Sequence, residues 1–426
     1  LPGTFFMLYS FAKILMTFGL RFFYRNIYVT GLENIPSKGP VIIIANHNAS
    51  LMDAALLGIL LKRKAWFFAR GDVFVNKPVQ TILWWLHMMP VHSYMGGRNT
   101  LNANSHSFSD GQKILSKGGI IVFFPESYSH IEHQLLPFRK GVFRLAFDTA
   151  LASNFLFDIP VVPVGITYDH PVACRTSVQV HAGKPLSLAT YQQEYKENPA
   201  VSLLHICKDA QQAVHQLVLH VTDSKRLETA GHYLTISRNN NIVQAPGWKL
   251  ATAEKLEREK CICLSVNNAP EYEFENKQQQ SGRYFNALNA AGVSDRTVGG
   301  PSSFSTWKKI LLWIGFPVYL LGLLLNGLPV LISRQIADKK VYRKDFYSWI
   351  FVACYSIMYF LWFTALLVIA SFRGWQYCIG TLLLLVLTGI FAYTYKDWQQ
   401  ENRQQKKWNA LSKERAETLR AMRNGV

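Results

Sequence analysis

Two hydrophobic patterns alternate along the first half of the chain. Short apolar, β-rich runs recur at residues 41–45, 66–69, 120–124, 161–168 and 178–182. Continuous apolar runs of this length predict strands covered on both faces. Between them lie stretches with helical character, such as 50–61 and 141–151. Strands alternating with helices predict an α/β fold, a largely parallel sheet flanked by helices. No internal repeat is visible.

The two ends of the chain read differently. The N-terminus is apolar from Phe5 to about Leu20 and then runs Arg21-Phe22-Phe23-Tyr24-Arg25. It carries no small-residue cleavage site of the signal-peptide kind, so it is read as retained. Aromatic side chains beside arginines suit the membrane–water boundary, and residues 1–28 are read as a membrane-associating helix. A buried first helix is the competing reading. The α/β domain spans 29–195. Residues 199–221 look helical, and Asn239-Asn240-Asn241, Gln278-Gln279-Gln280 and Gly299-Gly300-Pro301 punctuate the stretch up to residue 305. Residues 196–305 are read as a helical connector.

Membrane segments are expected over 306–395. Apolar runs at 310–332, 347–370 and 377–395 are each near the roughly 20 residues needed to cross a bilayer. Pro317, Gly322, Asn326, Gly327 and Pro329 weaken the first as a straight helix. Arg334, Lys339, Lys340, Arg343 and Lys344 come after the first run, and Lys396, Arg403, Lys406, Lys407 and Lys413 lie in the tail at 396–426. Both groups belong on the cytoplasmic side by the positive-inside rule. The last two segments then form a hairpin with both ends inside. A crossing by the first would put the α/β domain outside, so 310–332 is read as re-entrant or lying in one leaflet. The expectation is an integral membrane protein with its catalytic domain on the cytoplasmic face.

Composition narrows the partners. The 426 residues carry a formal net charge of +18, with 49% hydrophobic and 17% charged residues. A basic excess fits either nucleic acid or an anionic membrane. The basic residues cluster beside apolar spans and form no recognisable nucleic-acid motif, so membrane phospholipids are the expected partner and nucleic acid is not. The six cysteines, Cys174, Cys207, Cys261, Cys263, Cys354 and Cys378, form no Cys-x-x-Cys pair. They read as reduced thiols, with neither a disulfide frame nor a zinc ribbon.

Four blocks carry candidate chemistry. In the first, a strand runs into Asn46-His47-Asn48-Ala49-Ser50-Leu51-Met52-Asp53. Ser50 with Asp53 resembles a capping box at a helix start. On one continuous helix, His47 and Asp53 would sit about 120° from facing each other. They meet only if His47 lies in the loop ahead of the helix, where an Asp on Nδ1–H would leave Nε2 as a base. The residues alone leave a second reading open, a helix-capping Asp beside an ordinary loop histidine. The second block is Met89-Pro90-Val91-His92-Ser93-Tyr94-Met95-Gly96-Gly97-Arg98, in which Arg98 near a helix start can bind an anion or simply follow a turn. The third is Phe124-Pro125-Glu126-Ser127-Tyr128-Ser129-His130, followed by Arg139, Lys140 and Arg144. These cations suit a phosphate, or a solvated helix start equally well. His130-x-Glu132-His133 fits no standard metal spacing. The fourth, Val161-Val162-Pro163-Val164-Gly165-Ile166 with Gly183-Lys184-Pro185, reads as architecture.

In order and spacing, these blocks resemble the phospholipid/glycerol acyltransferase family over roughly residues 35–190. The likeness is greatest to the branch that acylates glycerol 3-phosphate or dihydroxyacetone phosphate and carries membrane segments after its catalytic domain. That family carries Asn-His-x4-Asp, a block with an arginine, Phe-Pro-Glu-Gly-Thr-Arg-Ser and a Val-Pro-Val strand. The branch often has five residues between His and Asp, as here, and often reads Phe-Pro-Glu-x-x-Ser-His. The resemblance implies a glycerolipid-acyltransferase-type mixed sheet flanked by helices. It implies His47 as general base and Asp53 as its orienting acid. Glu126, and with it Ser127, is implied to help bind the acceptor, whose phosphate would meet Arg98, Lys140, Arg139 and Arg144. Ser127 departs from the family's usual Gly, and Ser93 stands where its second-block arginine often falls.

The resemblance implies no metal and no bound organic cofactor, because acyl-CoA or acyl carrier protein is a substrate. The expected activity is transfer of a fatty acyl group to glycerol 3-phosphate in phospholipid biosynthesis. Lysophosphatidate or an amino-acid lysolipid is the alternative acceptor. A lipid-binding scaffold without catalysis and a thioester hydrolase are readings from other classes.

Overall fold

The computed structural model describes residues 2–91, 98–242, 247–300 and 305–426, without the side chains of 2–7 and 98–104. The chain divides into two compact units. The first comprises Leu1–His220, Pro246–Leu256 and Val341–Ala353, and the second comprises Val221–Ala245, Glu257–Lys340 and Cys354–Val426.

In the first unit, helix α1 (Pro2–Phe23) leads directly into β1 (Tyr24–Thr30). The expected 1–28 helix therefore ends early, because Ile27, Tyr28 and Val29 pack inward as a strand. Leu20 and Phe23 of α1 are buried, whereas Phe11, Ile14 and Phe18 are exposed. The helix combines a buried end with an open apolar stripe. Next come β2 (Val41–Ala45), α2 (Leu51–Leu60), β3 (Ala65–Arg70), α3 (Lys77–Trp85), β4 (Met88–Val91), α4 (Arg98–Ser116), β5 (Ile120–Phe123), α5 (Gly141–Ala152), β6 (Val161–Tyr168), β7 (Thr176–Ala182), α6 (Gln192–Glu197) and α7 (Pro199–His215). A short β8 (Gly247–Leu250) completes the set.

The eight strands form one mixed sheet in the order β4-β3-β5-β2-β6-β7-β1-β8. The first five are mutually parallel, β6 and β7 are antiparallel, and β1 and β8 run parallel to β7. β2 and β5 are buried at every position, as their unbroken apolar runs predict. One face is filled by α5 and α7, whose Phe143, Phe147, Leu203, Ile206, Ala210 and Val214 recur at helical spacing. Gly165 in β6 permits a close crossing, since a Cβ there would lie 2.1 Å from the Leu217 carbonyl oxygen. β8 falls within the expected helical connector, yet it extends the sheet by pairing with β1.

The second unit is helical. Its elements include α8 (Leu227–Asn240), α9 (Glu254–Asn267), α10 (Glu271–Ala291), α11 (Asp295–Gly299), α12 (Thr306–Ile314), α13 (Phe316–Lys340), α14 (Lys344–Ser371), α15 (Trp375–Asn409) and α16 (Lys413–Gly425). The starts of α9 and α14 belong to the first unit. α13, α14 and α15 are each long and apolar enough to cross a membrane. The expected segment at 310–332 is divided between α12 and α13 at Gly315. α13 meets α15 closely at Gly322, where a Cβ would lie 2.5 Å from the Thr388 carbonyl oxygen. Asn326 accepts a hydrogen bond from the Tyr359 hydroxyl at 2.7 Å, which joins α13 to α14 inside this apolar bundle.

Candidate active site

The site forms where three neighbouring parallel strands end. The register pairs Ile44 with Phe123 on one side and Ala45 with Val164 on the other, so β5 and β2 finish side by side while β6 runs on to Tyr168. The carboxyl ends of parallel strands are where α/β sheets place ligand sites. β2 delivers His47, the turn after β5 delivers Glu126, and the last residue of β6 is Tyr168.

His47 lies in the loop ahead of α2, the one position from which it can reach Asp53. Its Nδ1 is 2.9 Å from Asp53 Oδ2. The same oxygen accepts the Ala49 amide at 2.9 Å, and Asp53 Oδ1 accepts the Tyr168 hydroxyl at 2.5 Å. Asp53 is fully buried, so these three donors offset the desolvation of its charge. The expected capping box is absent, because the Ser50 side chain makes no cap hydrogen bond and Ser50 adopts φ 51°. Asp53 serves the Ala49 amide and the imidazole instead. An acceptor on Nδ1 fixes the proton there and leaves Nε2 as the basic nitrogen. The imidazole stacks on Phe124, with centroids 4.3 Å apart and planes 17° off parallel, and its side chain stays 20% exposed.

Asn46 locks the end of β2 to β6. Its Oδ1 accepts the Ile166 amide at 2.7 Å, and its Nδ2 donates to the Ile166 carbonyl at 2.8 Å and also to Asn48 Oδ1. Asn48 donates to the Glu132 carbonyl at 2.7 Å. Glu126 is buried and braces the loops from below. Its Oε1 accepts the His47 amide at 3.0 Å, and its Oε2 accepts the Leu136 amide at 3.2 Å and lies 3.1 Å from His130 Nε2. Burial alone would disfavour the His130 imidazolium. The hydrogen bond and charge of Glu126, with the charges of Glu132 and Asp53, outweigh it and hold the His130 pKa above its ordinary value. Ser127 is exposed and sits at φ 68°, in the left-handed region that favours glycine.

The remaining expected site residues lie on α5 and α4. Lys140 is the residue before α5 and Arg139 precedes it, with the Arg139 amide donating to the Pro125 carbonyl at 2.8 Å. Arg144 lies one turn into α5, and all three cations are exposed. Among the described residues, no hydrogen bond or ion pair ties them to His47, Asp53 or Glu126. Arg98 opens α4, but its side chain lies outside the described residues, as does Ser93 entirely. Sequence reasoning missed Tyr168, since β6 read as architecture alone. Burial, and then the charge of Asp53, push the Tyr168 and Tyr24 phenols well above their ordinary pKa, which keeps Tyr168 protonated as a donor.

Residues 26–167 match the acyltransferase family profile, and this segment contains His47, Asp53 and Glu126. The chain carries an acyltransferase-family domain. A chloroplastic 1-acyl-sn-glycerol-3-phosphate acyltransferase of Brassica napus is 29% identical over 156 residues, covering 36% of this chain and 40% of that protein. Glycerol-3-phosphate O-acyltransferase 2 of Saccharomyces cerevisiae is 29% identical over 106 residues, covering 25% of this chain and 14% of that protein. The chain thus spans less than half the length of either relative. The crystal structure of the 1-acyl-sn-glycerophosphate acyltransferase PlsC from Thermotoga maritima aligns with a TM-score of 0.35 at 21% identity, covering 47% of this chain and 78% of that chain.

Proposed function

We propose that the chain is a membrane-bound O-acyltransferase that moves a fatty acyl group from acyl-CoA or acyl carrier protein to glycerol 3-phosphate. The observation that carries this reading is a partly open imidazole whose Nδ1 is held by a buried, fully satisfied carboxylate. Nε2 of His47 takes the proton of the acceptor hydroxyl as its oxygen attacks the thioester carbonyl carbon. A tetrahedral intermediate forms next to an imidazolium that Asp53 stabilises. Collapse breaks the carbon–sulfur bond, and the leaving thiolate takes the proton back from His47. The products are the acylated acceptor and the free thiol. No acyl-enzyme intermediate is needed, and general-base help of this kind is worth about 10²–10⁴-fold.

Arg139, Lys140 and Arg144 cluster at the start of α5, where the positive end of the helix adds to their charge. This favours a phosphate-bearing acceptor, with Arg98 at the start of α4 as a further cation. The orientation we propose puts the α/β domain and the basic tail on the cytoplasmic side, where soluble acyl donors are found.

A second acceptor is supported by the relatives named 1-acyl-sn-glycerol-3-phosphate acyltransferases, to which this chain is similar over 36% and 33% of its length. Purified protein in detergent, given one labelled donor, would be offered glycerol 3-phosphate, dihydroxyacetone phosphate, lysophosphatidate and an amino-acid lysolipid in turn. Lysophosphatidate appearing from glycerol 3-phosphate is the expected result. Product only from a lysolipid would replace the acceptor, and fatty acid release without any acceptor would mean a hydrolase.

A further inference from the structure

The family profile ends at residue 167, yet the compact unit that holds the site also contains Val341–Ala353. This segment is the entry to α14. Asp345, in the first turn of α14, is only 7% exposed. Its Oδ2 accepts a hydrogen bond from Ser129 Oγ. It also pairs with Arg343 at two points, Nε to Oδ1 at 3.1 Å and Nη2 to Oδ2 at 2.7 Å. Arg343 Nη2 lies 3.4 Å from Ser129 Oγ as well, and its side chain is about half exposed.

Ser129 belongs to the loop of residues 126–130. Glu126 anchors the start of that loop on the His47 amide, and the His130 amide returns to the His47 carbonyl at 3.2 Å. Between them Ser127 is held at φ 68°. A non-glycine residue in this region persists only where its surroundings over-determine it. The contact with Asp345 supplies the side-chain anchor in the middle of this span, and the bidentate Arg343 pair fixes the carboxylate that makes it.

We propose that Asp345 is a positioning residue for the acceptor side of the site. It holds Ser129, and through it the loop that flanks His47. The entry to α14 is then part of the working site, beyond any anchoring by that helix. The inference rests on the acyl-transfer reading for its kinetic consequence but not for the clamp itself.

The test uses the full-length chain in detergent and compares Asp345→Ala, Asp345→Asn, Ser129→Ala and the double variant Ser129→Ala/Asp345→Ala. Asp345→Ala is expected to raise the acceptor KM about tenfold, the scale of one lost charge-assisted hydrogen bond, with the donor KM unchanged. Asp345→Asn keeps an oxygen for Ser129 and should recover most of the loss. The double variant should be no worse than either single one, because both remove one contact. Hydrogen exchange at the His130 amide should quicken about tenfold in Asp345→Ala. Unchanged kinetics and exchange would overturn the proposal. So would additive losses, or an equal loss for both substrates with a lowered melting temperature. If the wild type transferred nothing to any acceptor, the reaction reading would fall and exchange alone would decide the clamp. Quickening confined to residues 127–130 would uphold it, and no quickening would refute it.

Discussion

At the scale of residues, the site depends on one buried carboxylate that serves three donors from three places in the chain. Asp53 receives the Ala49 amide, the His47 imidazole and the Tyr168 hydroxyl. His47 and Asp53 are six positions apart, so their pairing was open to reading from local spacing once His47 was put in a loop. Tyr168 is 115 positions from Asp53. Nothing local marks it, and only the adjacency of β2 and β6 brings it in. Tyr168→Phe removes one hydrogen bond to a charged group, a loss of about 1.5–3 kcal/mol, and leaves the ring in place. We expect a lower melting temperature and a kcat reduced about tenfold with the acceptor KM little changed. Steady-state kinetics with thermal melting would check this, and an unchanged kcat would remove Tyr168 from the orienting system. The backbone at Ser127 gives a physical reason for the glycine that the family usually has there, since φ 68° costs a side-chain-bearing residue about 1–2 kcal/mol.

At the scale of elements, strands with continuous β-branched cores were legible. The runs at 41–45 and 161–168 coincide with β2 and β6, because a buried strand needs apolar residues on both faces. β1 was hidden, since Tyr24, Arg25, Tyr28 and their neighbours read equally well as the interfacial end of a helix. β4 carries Pro90 in four residues, and β8 is four residues of mixed character inside a polar stretch. The alternation of strands with helices made a largely parallel sheet legible, but not its one reversal. Burial periodicity is the same for both directions, so the reversal between β6 and β7 is set by the short connection through Asp169–Arg175 and by pairing alone. α13, α14 and α15 were each visible by length and apolarity, whereas the break at Gly315 and the start of α13 at Phe316 were not. The basic residues that flank these helices predict a cytoplasmic tail and α/β domain. Protease added to sealed, right-side-out vesicles should leave both intact. Digestion of the α/β domain from outside would reverse the orientation.

At the scale of the whole molecule, the chain joins an acyltransferase-family domain to three helices of membrane-crossing length. The α/β unit holds an imidazole oriented by a buried carboxylate at the carboxyl end of its parallel strands, and its sequence contribution from residues 341–353 arrives from far outside the family segment. The proposed role of His47 as the base is tested most directly by acyl transfer from a labelled long-chain donor to glycerol 3-phosphate by purified protein in detergent, wild type against His47→Ala. Wild type is expected to form lysophosphatidate. The variant, still folded by circular dichroism, is expected to lose 10²-fold or more of that rate, in line with the roughly 10²–10⁴-fold worth of a general base. A folded His47→Ala protein that transfers at a rate within a few-fold of wild type would contradict that role.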